Sequence, residues 1–95
     1  MDDQREANYK IIRSQRCLVT NSLYVDVAHV KSRGSGGTDD LWNLMPLSRE
    51  IHHIQHQIGI LSFIRKYPSV AAYLASNGWY IFNGKLLNHN INTSE

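Results

Sequence analysis

Between Val27 and Gly59 the chain reads VAHVKSRGSGGTDDLWNLMPLSREIHHIQHQIG, a stretch that holds four of the five histidines together with the glycine-rich loop. Three spacings in it restrict the fold: His29 followed at +7 and +8 by Gly36 and Gly37, Asn43 fourteen residues after that histidine, and His52 with His56 at i,i+4. Residues four apart on a helix share one face, with Cβ atoms about 5–6 Å apart. His52 and His56 are therefore spaced to grip one divalent ion. The segment from Ser48 to Ile58 carries the signals of such a helix: Ser48 to cap it, Glu50 in the first turn, and Gly59 to end it. Ile51, Ile54 and Ile58 fall on one face and are expected to bury, which turns His52 and His56 to another side and leaves His53 pointing elsewhere.

Upstream, Leu23 to Val30 reads LYVDVAHV, rich in β-branched residues, and predicts a short strand that delivers His29 to its C-terminal end. KSRGSGG then supplies a loop in which glycine can adopt positive φ, bend the chain sharply and bring backbone close to a phosphate. Asn43 to Leu47 is the expected return strand, with Pro46 removing one ladder donor and marking a short edge ribbon. The core is thus strand, loop, strand, helix.

With those elements in that order, HVKSRGSGGTDDLWNLMPLSREIHHIQH resembles the HNH family of endonucleases in its ββα-metal form, and most of all its small phage and prophage members. The shared pattern is a histidine, a loop ending in Gly-Gly, an Asp-rich turn, Asn-Leu-x-Pro-Leu, and a helix bearing one or two histidines. The likeness is close over residues 29–56 and looser from Tyr9 to Thr20 and from Phe63 to Trp79. It implies an α+β fold, one domain over residues 1–95, with a ββα-metal core at 23–59 and flanking helices. It also implies metal-dependent hydrolysis of DNA phosphodiesters: His29 matches the general base, Asn43 the middle asparagine that holds the loop or the base, His52 the helical metal ligand, and His56 a second ligand found in some members. Lys31, Arg33 and Arg49 become candidates for phosphate contacts.

The chain departs from the pattern in two respects. The family places a metal-binding Asp or His just before the catalytic histidine, and this chain has Ala28 there. Asp26, on the same strand face, is the candidate substitute. The alternatives are that His29 is itself a ligand, or that water and the scissile phosphate complete the shell. Many relatives also carry two Cys pairs for a structural zinc, at positions that read Cys17, Thr20, Ser48 and Ile51 here. One thiol cannot build a four-ligand site, so apolar packing must hold the scaffold, with Cys17 as a small buried hydrophobe.

An imidazole, with an ordinary pKa near 6.5, can take a proton from water at physiological pH, and a divalent cation can act as Lewis acid at the phosphate. Imidazole ligands suit Zn²⁺ or Ni²⁺, whereas a water-rich site short of protein ligands accepts Mg²⁺ or Mn²⁺, the ions expected in turnover. Two other readings compete: a catalytically weakened relative that binds DNA or another phage protein, motivated by Ala28, and a scaffold in which His29, His52 and His56 hold a structural metal.

Composition fits one small domain: 95 residues, 42% hydrophobic, net charge +2. The mild basicity is compatible with a polyanionic partner without establishing one. A single Cys gives no disulfide framework, no apolar run is long enough to span a membrane, and MDDQREANYK lacks a signal peptide's apolar core. A cytoplasmic setting is expected, in the host cytoplasm for a phage protein.

Residues 4–15 predict a short amphipathic helix with Ala7 and Ile11 as its main apolar positions, and Cys17–Thr20 a β-prone run before a turn at Asn21-Ser22, together making a hairpin that supports His29. For Arg13 and Arg16, as for Arg49, a solvated face and contact with DNA phosphate are equal explanations. After Gly59, Ile60, Phe63, Ile64 and Tyr67 mark a core helix ended by Pro68. VAAYLASN, capped by Ser69 and closed by Gly78, marks another. Asn83-Gly84 between WYIF and KLLN predicts a C-terminal hairpin. Trp42 is expected to pack, Thr38-Asp39-Asp40 to form a turn whose carboxylates can reach a metal, His53 and His89 to lie on the surface, and residues 90–95 to fray.

Overall fold

A computed structural model describes residues 3–91. Among them the chain is a small α+β domain of four α-helices and two two-stranded antiparallel sheets. The first helix, α1, spans Asp3–Arg13, with Asp3 and Glu6 in its first turn and Lys10 and Arg13 in its last, the charge order that complements a helix dipole. Its buried face differs from the expected one. Ile12 and Asn8 are buried, whereas Ala7 and Ile11 are exposed. Polar bonds turn the helix: Asn8 Nδ2 donates to the Asp39 carbonyl at 2.9 Å, and the Tyr9 hydroxyl donates to the Asp39 carboxylate at 2.8 Å.

Strand β1 is Asp26–His29 and pairs with β2, Leu44–Leu47, from Asp26 opposite Leu47 to His29 opposite Leu44. It is shorter than the apolar run suggested, because Leu23 and Tyr24 are 61% and 85% exposed and lie outside it. Cys17–Thr20 forms no strand either. The Cys17 N–H bonds the Ser22 carbonyl, the Asn21 N–H bonds the Cys17 carbonyl, and Asn21 takes a φ of 66°. The result is a tight turn that leans on the sheet through Leu18 N–H to the Pro46 carbonyl at 3.1 Å. A two-stranded sheet is marginal by itself; every residue of β2 is buried beneath its neighbours.

Helix α2, Arg49–Ile58, follows β2 directly and packs on both strands. Ser48 occupies its N-cap position, but the hydroxyl lies 3.5 Å from Cys17 Sγ rather than on a helix amide. Ile51 is buried and Ile54 half-buried, while Ile58 is 40% exposed, so the apolar face runs out before the last turn, and its place in the interior goes to Gln55. Gly59, at φ 84°, ends α2 and precedes α3, Ile60–Lys66. In α4, Pro68–Ser76, Pro68 sits at the first turn with Tyr67 as N-cap. The expected Ser69 cap is displaced because proline's fixed φ and missing N–H suit the helix start. Strands β3, Trp79–Phe82, and β4, Lys85–Asn88, form the predicted hairpin, and Asn83 and Gly84 both take positive φ, as a type I′ turn requires.

Phe63, Val70, Leu74 and Trp79 join Ala28, Met45, Leu47 and Ile51 in one hydrophobic cluster, so the helices and hairpin after Gly59 and the β1–β2–α2 unit share a core. Ile91 packs against this cluster, and Asn90 bonds the Asn88 side chain, so residues 90 and 91 do not fray as expected. The remainder of that expectation, on residues 92–95, lies outside the described residues.

Candidate active site

His29 ends β1 with its side chain 18% exposed. Its Nε2 lies 2.8 Å from Asp39 Oδ1, the oxygen that also accepts the Tyr9 hydroxyl at 2.8 Å. Arg33 Nη1 approaches the other carboxylate oxygen at 4.0 Å. Burial raises the Asp39 pKa, but the hydrogen bonds from His29 and Tyr9 and the charge of Arg33 outweigh it, and the carboxyl titrates below its ordinary value. The Tyr9 phenol is pushed up, first by burial and then by its bond to Asp39. Because an ionised carboxylate only accepts, the neutral His29 ring carries its proton on Nε2 and its lone pair on Nδ1. The backbone of His29 is fixed separately, by Gln55 Nε2 donating to its carbonyl at 2.9 Å. That bond ties the end of β1 to α2 one residue before His56.

A second cluster gathers at the start of β1. Arg49 Nε and Nη2 clasp Asp26 at 3.0 and 3.1 Å, and His52 Nδ1 lies 3.0 Å from Asp26 Oδ2. The Arg49 bond above all, opposed by burial and aided by His52, holds the Asp26 carboxyl below its ordinary range. Asp26 thus accepts from Nδ1–H and turns the Nε2 lone pair of His52 outward, where it accepts a hydrogen bond from His56 Nε2–H at 3.2 Å. Two imidazole nitrogens at that separation suit a shared cation at about 2.0–2.1 Å from each, and a carboxylate behind a ligating imidazole is the usual outer support of such sites. The donor pair therefore fits a divalent cation with two protein ligands. Among the described residues, no group of three or more His, Cys, Asp or Glu side chains is arranged to hold a metal.

The other candidates fall around these clusters. Ala28 is fully buried opposite Met45 and offers no ligand. Asp26 sits behind His52, with both oxygens engaged by Arg49. Asn43 lies in a short 3₁₀ turn, Leu41–Asn43, rather than in the return strand. Fully buried, it accepts the Lys31 N–H at 2.8 Å and donates to the carbonyls of Lys31 and Thr38 at 3.0 and 2.7 Å. These bonds cross-link the loop between the strands. In that loop Gly36 has φ 91°, and a Cβ on Gly37 would stand 1.8 Å from the Lys31 carbonyl oxygen. Lys31 and Arg33 are exposed, and Lys31 lines a cleft of about 250 Å³ with Gly36, Gly37, Trp42 and Asn43. Arg49 is exposed but held by Asp26.

Arg13 lies over the Tyr9 ring at 5.6 Å, Arg16 bonds the Asn21 carbonyl, and Trp42 packs against Trp79 at 5.8 Å. His53 and His89 are exposed, His89 stacked on Tyr80 at 4.4 Å. Cys17 is buried, yet its sulfur accepts the N–H groups of Val19 and Thr20. Burial raises its pKa, but bonds from Thr20 and Ser48 prevail and lower it to about 7.

Tyr9 and Gln55 were not among the site residues expected from the sequence, and Asp39, expected as a turn carboxylate able to reach a metal, instead bonds His29 and Tyr9. Asp39 carried the one available signal, a carboxylate in the turn ten residues after His29. Nothing local marks Tyr9, thirty residues from its partner. Comparison with protein-family models, curated proteins and solved structures finds no match to the chain. No helix among the described residues is long and apolar enough to cross a membrane.

Proposed function

We propose that this protein is a metal-dependent endonuclease of the HNH type, hydrolysing DNA phosphodiester bonds from a ββα-metal core made of β1, β2 and α2. The observation that carries the reading is the pairing of His52 and His56, their Nε2 atoms 3.2 Å apart and Asp26 behind the first of them. It gains support from a separate imidazole, His29, whose Nδ1 is left as a base by the Asp39 contact.

In this reading His29 Nδ1 takes the proton from the attacking water, and its carbonyl, held by Gln55, keeps the ring in register with α2. His52 and His56 hold the cation, with Mg²⁺ or Mn²⁺ serving in turnover and Zn²⁺ or Ni²⁺ binding more tightly. When bound there, the cation supplies Lewis-acid stabilisation of charge on the phosphate and the departing oxygen. Asn43 keeps the loop closed, and Lys31 and Arg33 meet neighbouring phosphates. The partner is DNA, in a cytoplasmic setting that is the host's for a phage-encoded chain, where other phage proteins are candidate partners.

Nicking of supercoiled plasmid with Mg²⁺, Mn²⁺, Zn²⁺ or Ni²⁺ tests this. Metal-dependent cleavage is expected, and His29→Ala should lower it by about 10²–10⁴-fold while leaving metal affinity intact. The full burial of Ala28, which removes the position where the family carries a ligand, favours one competing reading: a binding module without turnover. DNA binding with no cleavage under any of the four ions would select it. Unfolding by EDTA would select the structural-metal scaffold.

A further inference from the structure

A histidine acts as a base only if the nitrogen facing the water holds a lone pair, and the partner of the other nitrogen decides which one does. On His29 that partner is Asp39, 2.8 Å from Nε2. We infer that Asp39 is a positioning residue for the His29 base: its carboxylate fixes the Nε2–H tautomer and balances the positive charge the ring acquires on taking a proton. This rests on the nuclease reading above.

The carboxylate is held from three sides. Oδ1 accepts the Tyr9 hydroxyl from α1 as well as the His29 ring from β1, and Oδ2 faces Arg33 in the loop. Its backbone is pinned too: Asn8 Nδ2 bonds the Asp39 carbonyl at 2.9 Å, and Asn43 Nδ2 bonds that of Thr38 at 2.7 Å. A group so constrained has few rotamers left to lose, which an orienting residue requires. The Tyr9 ring also meets the His29 ring edge-on, with centroids 6.3 Å apart and planes at 74°, and so limits rotation of the imidazole. Asp40, the neighbouring acid, is exposed and bonded to Thr38 Oγ1, so the two adjacent carboxylates are not interchangeable. As the base takes its proton, the hydrogen bond from the neutral imidazole Nε2–H to the Asp39 carboxylate becomes an imidazolium–carboxylate ion pair, which adds Coulombic attraction to a bond that is already charge-assisted. The carboxylate therefore favours the transition state over the resting site.

The test combines a spectrum with kinetics. In the unmodified protein, long-range ¹H–¹⁵N correlation of the imidazoles should show His29 as the Nε2–H tautomer. An Nδ1–H tautomer overturns the inference without any variant having to fold. In Asp39→Asn, kcat for plasmid nicking with Mg²⁺ or Mn²⁺ should fall by about 10²-fold with KM within about twofold, and the His29 ¹⁵N pattern should shift toward the other tautomer. Asp39→Glu, which keeps the carboxylate, should recover part of kcat, as loss of a loop tie alone would not predict. Full kcat and an unchanged tautomer in Asp39→Asn, with cleavage lost in His29→Ala, overturn the role of Asp39 and leave the base standing. Cleavage retained in His29→Ala overturns the base, and this inference with it.

Discussion

Replacing Asn43 by Ala removes three hydrogen bonds that close the loop between β1 and β2: one accepted from the Lys31 N–H and two donated to the carbonyls of Lys31 and Thr38. Each such bond is worth about 0.5–1.5 kcal/mol net, and a partner left buried and unpaired costs more. Lys31 and Thr38 belong to an exposed loop, so water can reach part of what Asn43 abandons. Three bonds at about 1 kcal/mol each then give a loss of about 3 kcal/mol, a large share of the roughly 5–14 kcal/mol expected for a chain of this length. Asn43→Asp should be worse than Ala although it is nearly isosteric. The carboxylate keeps the Lys31 N–H but has no hydrogen to offer, so an anionic oxygen faces two carbonyl oxygens. Urea unfolding at neutral pH, followed by the fluorescence of Trp42 and Trp79, measures both. An Asn43→Ala loss below about 1 kcal/mol, or an Asn43→Asp variant as stable as the parent, would refute the claim that this side chain staples the loop.

His56→Ala should weaken Zn²⁺ or Ni²⁺ binding by at least about tenfold in calorimetric titration, and Asp26→Asn should do so by about 10–100-fold if its carboxylate supports His52 from behind; an unchanged isotherm removes the residue from the site. The Asp26 carboxyl is depressed by Arg49 and His52, so its contribution to stability is present above its unfolded value near 3.9 and is lost as pH falls through the lower folded value. Acid titration of the metal-free protein should therefore show a shallower stability loss below about pH 4 in Asp26→Asn than in the parent. Gly37→Ala should cost more than Gly36→Ala in thermal melts, because its Cβ would collide with the backbone carbonyl of Lys31 whereas Gly36 has open space and only a positive φ to oppose. The reverse order would mean that the loop relaxes around the contact.

The parts of the fold that could be read ahead were those written in short range. The His52–His56 pair follows from helical geometry once Ser48 and Gly59 bound the helix, and the Asn83-Gly84 turn needs only two residues at positive φ between apolar runs. Where sequence and structure part, a distant contact has overruled a local preference. Leu23 and Tyr24 are β-prone yet exposed, since the sheet partner ends at Leu47 opposite Asp26. Ile58 continues an apolar stripe with no core left to meet, and Gln55 enters the interior to reach the His29 carbonyl. In α1 the helical pattern placed Ala7 and Ile11 inward, but bonds from Asn8 and Tyr9 to Asp39 set the rotation.

The sequence by itself determined the order of strand, glycine loop, strand and helix, the common face of two imidazoles, and the two turns that demand glycine or asparagine, because each depends on dihedral preferences and spacings within a few residues. Only the tertiary structure decided which atoms the histidines face: Asp39 and Tyr9 on His29, Asp26 behind His52, and Ala28 closed in the core. Hydrogen bonds between groups ten to thirty residues apart depend on how α1, the loop and α2 dock on the β1–β2 sheet. Such docking is a sum over many weak contacts that no local spacing records.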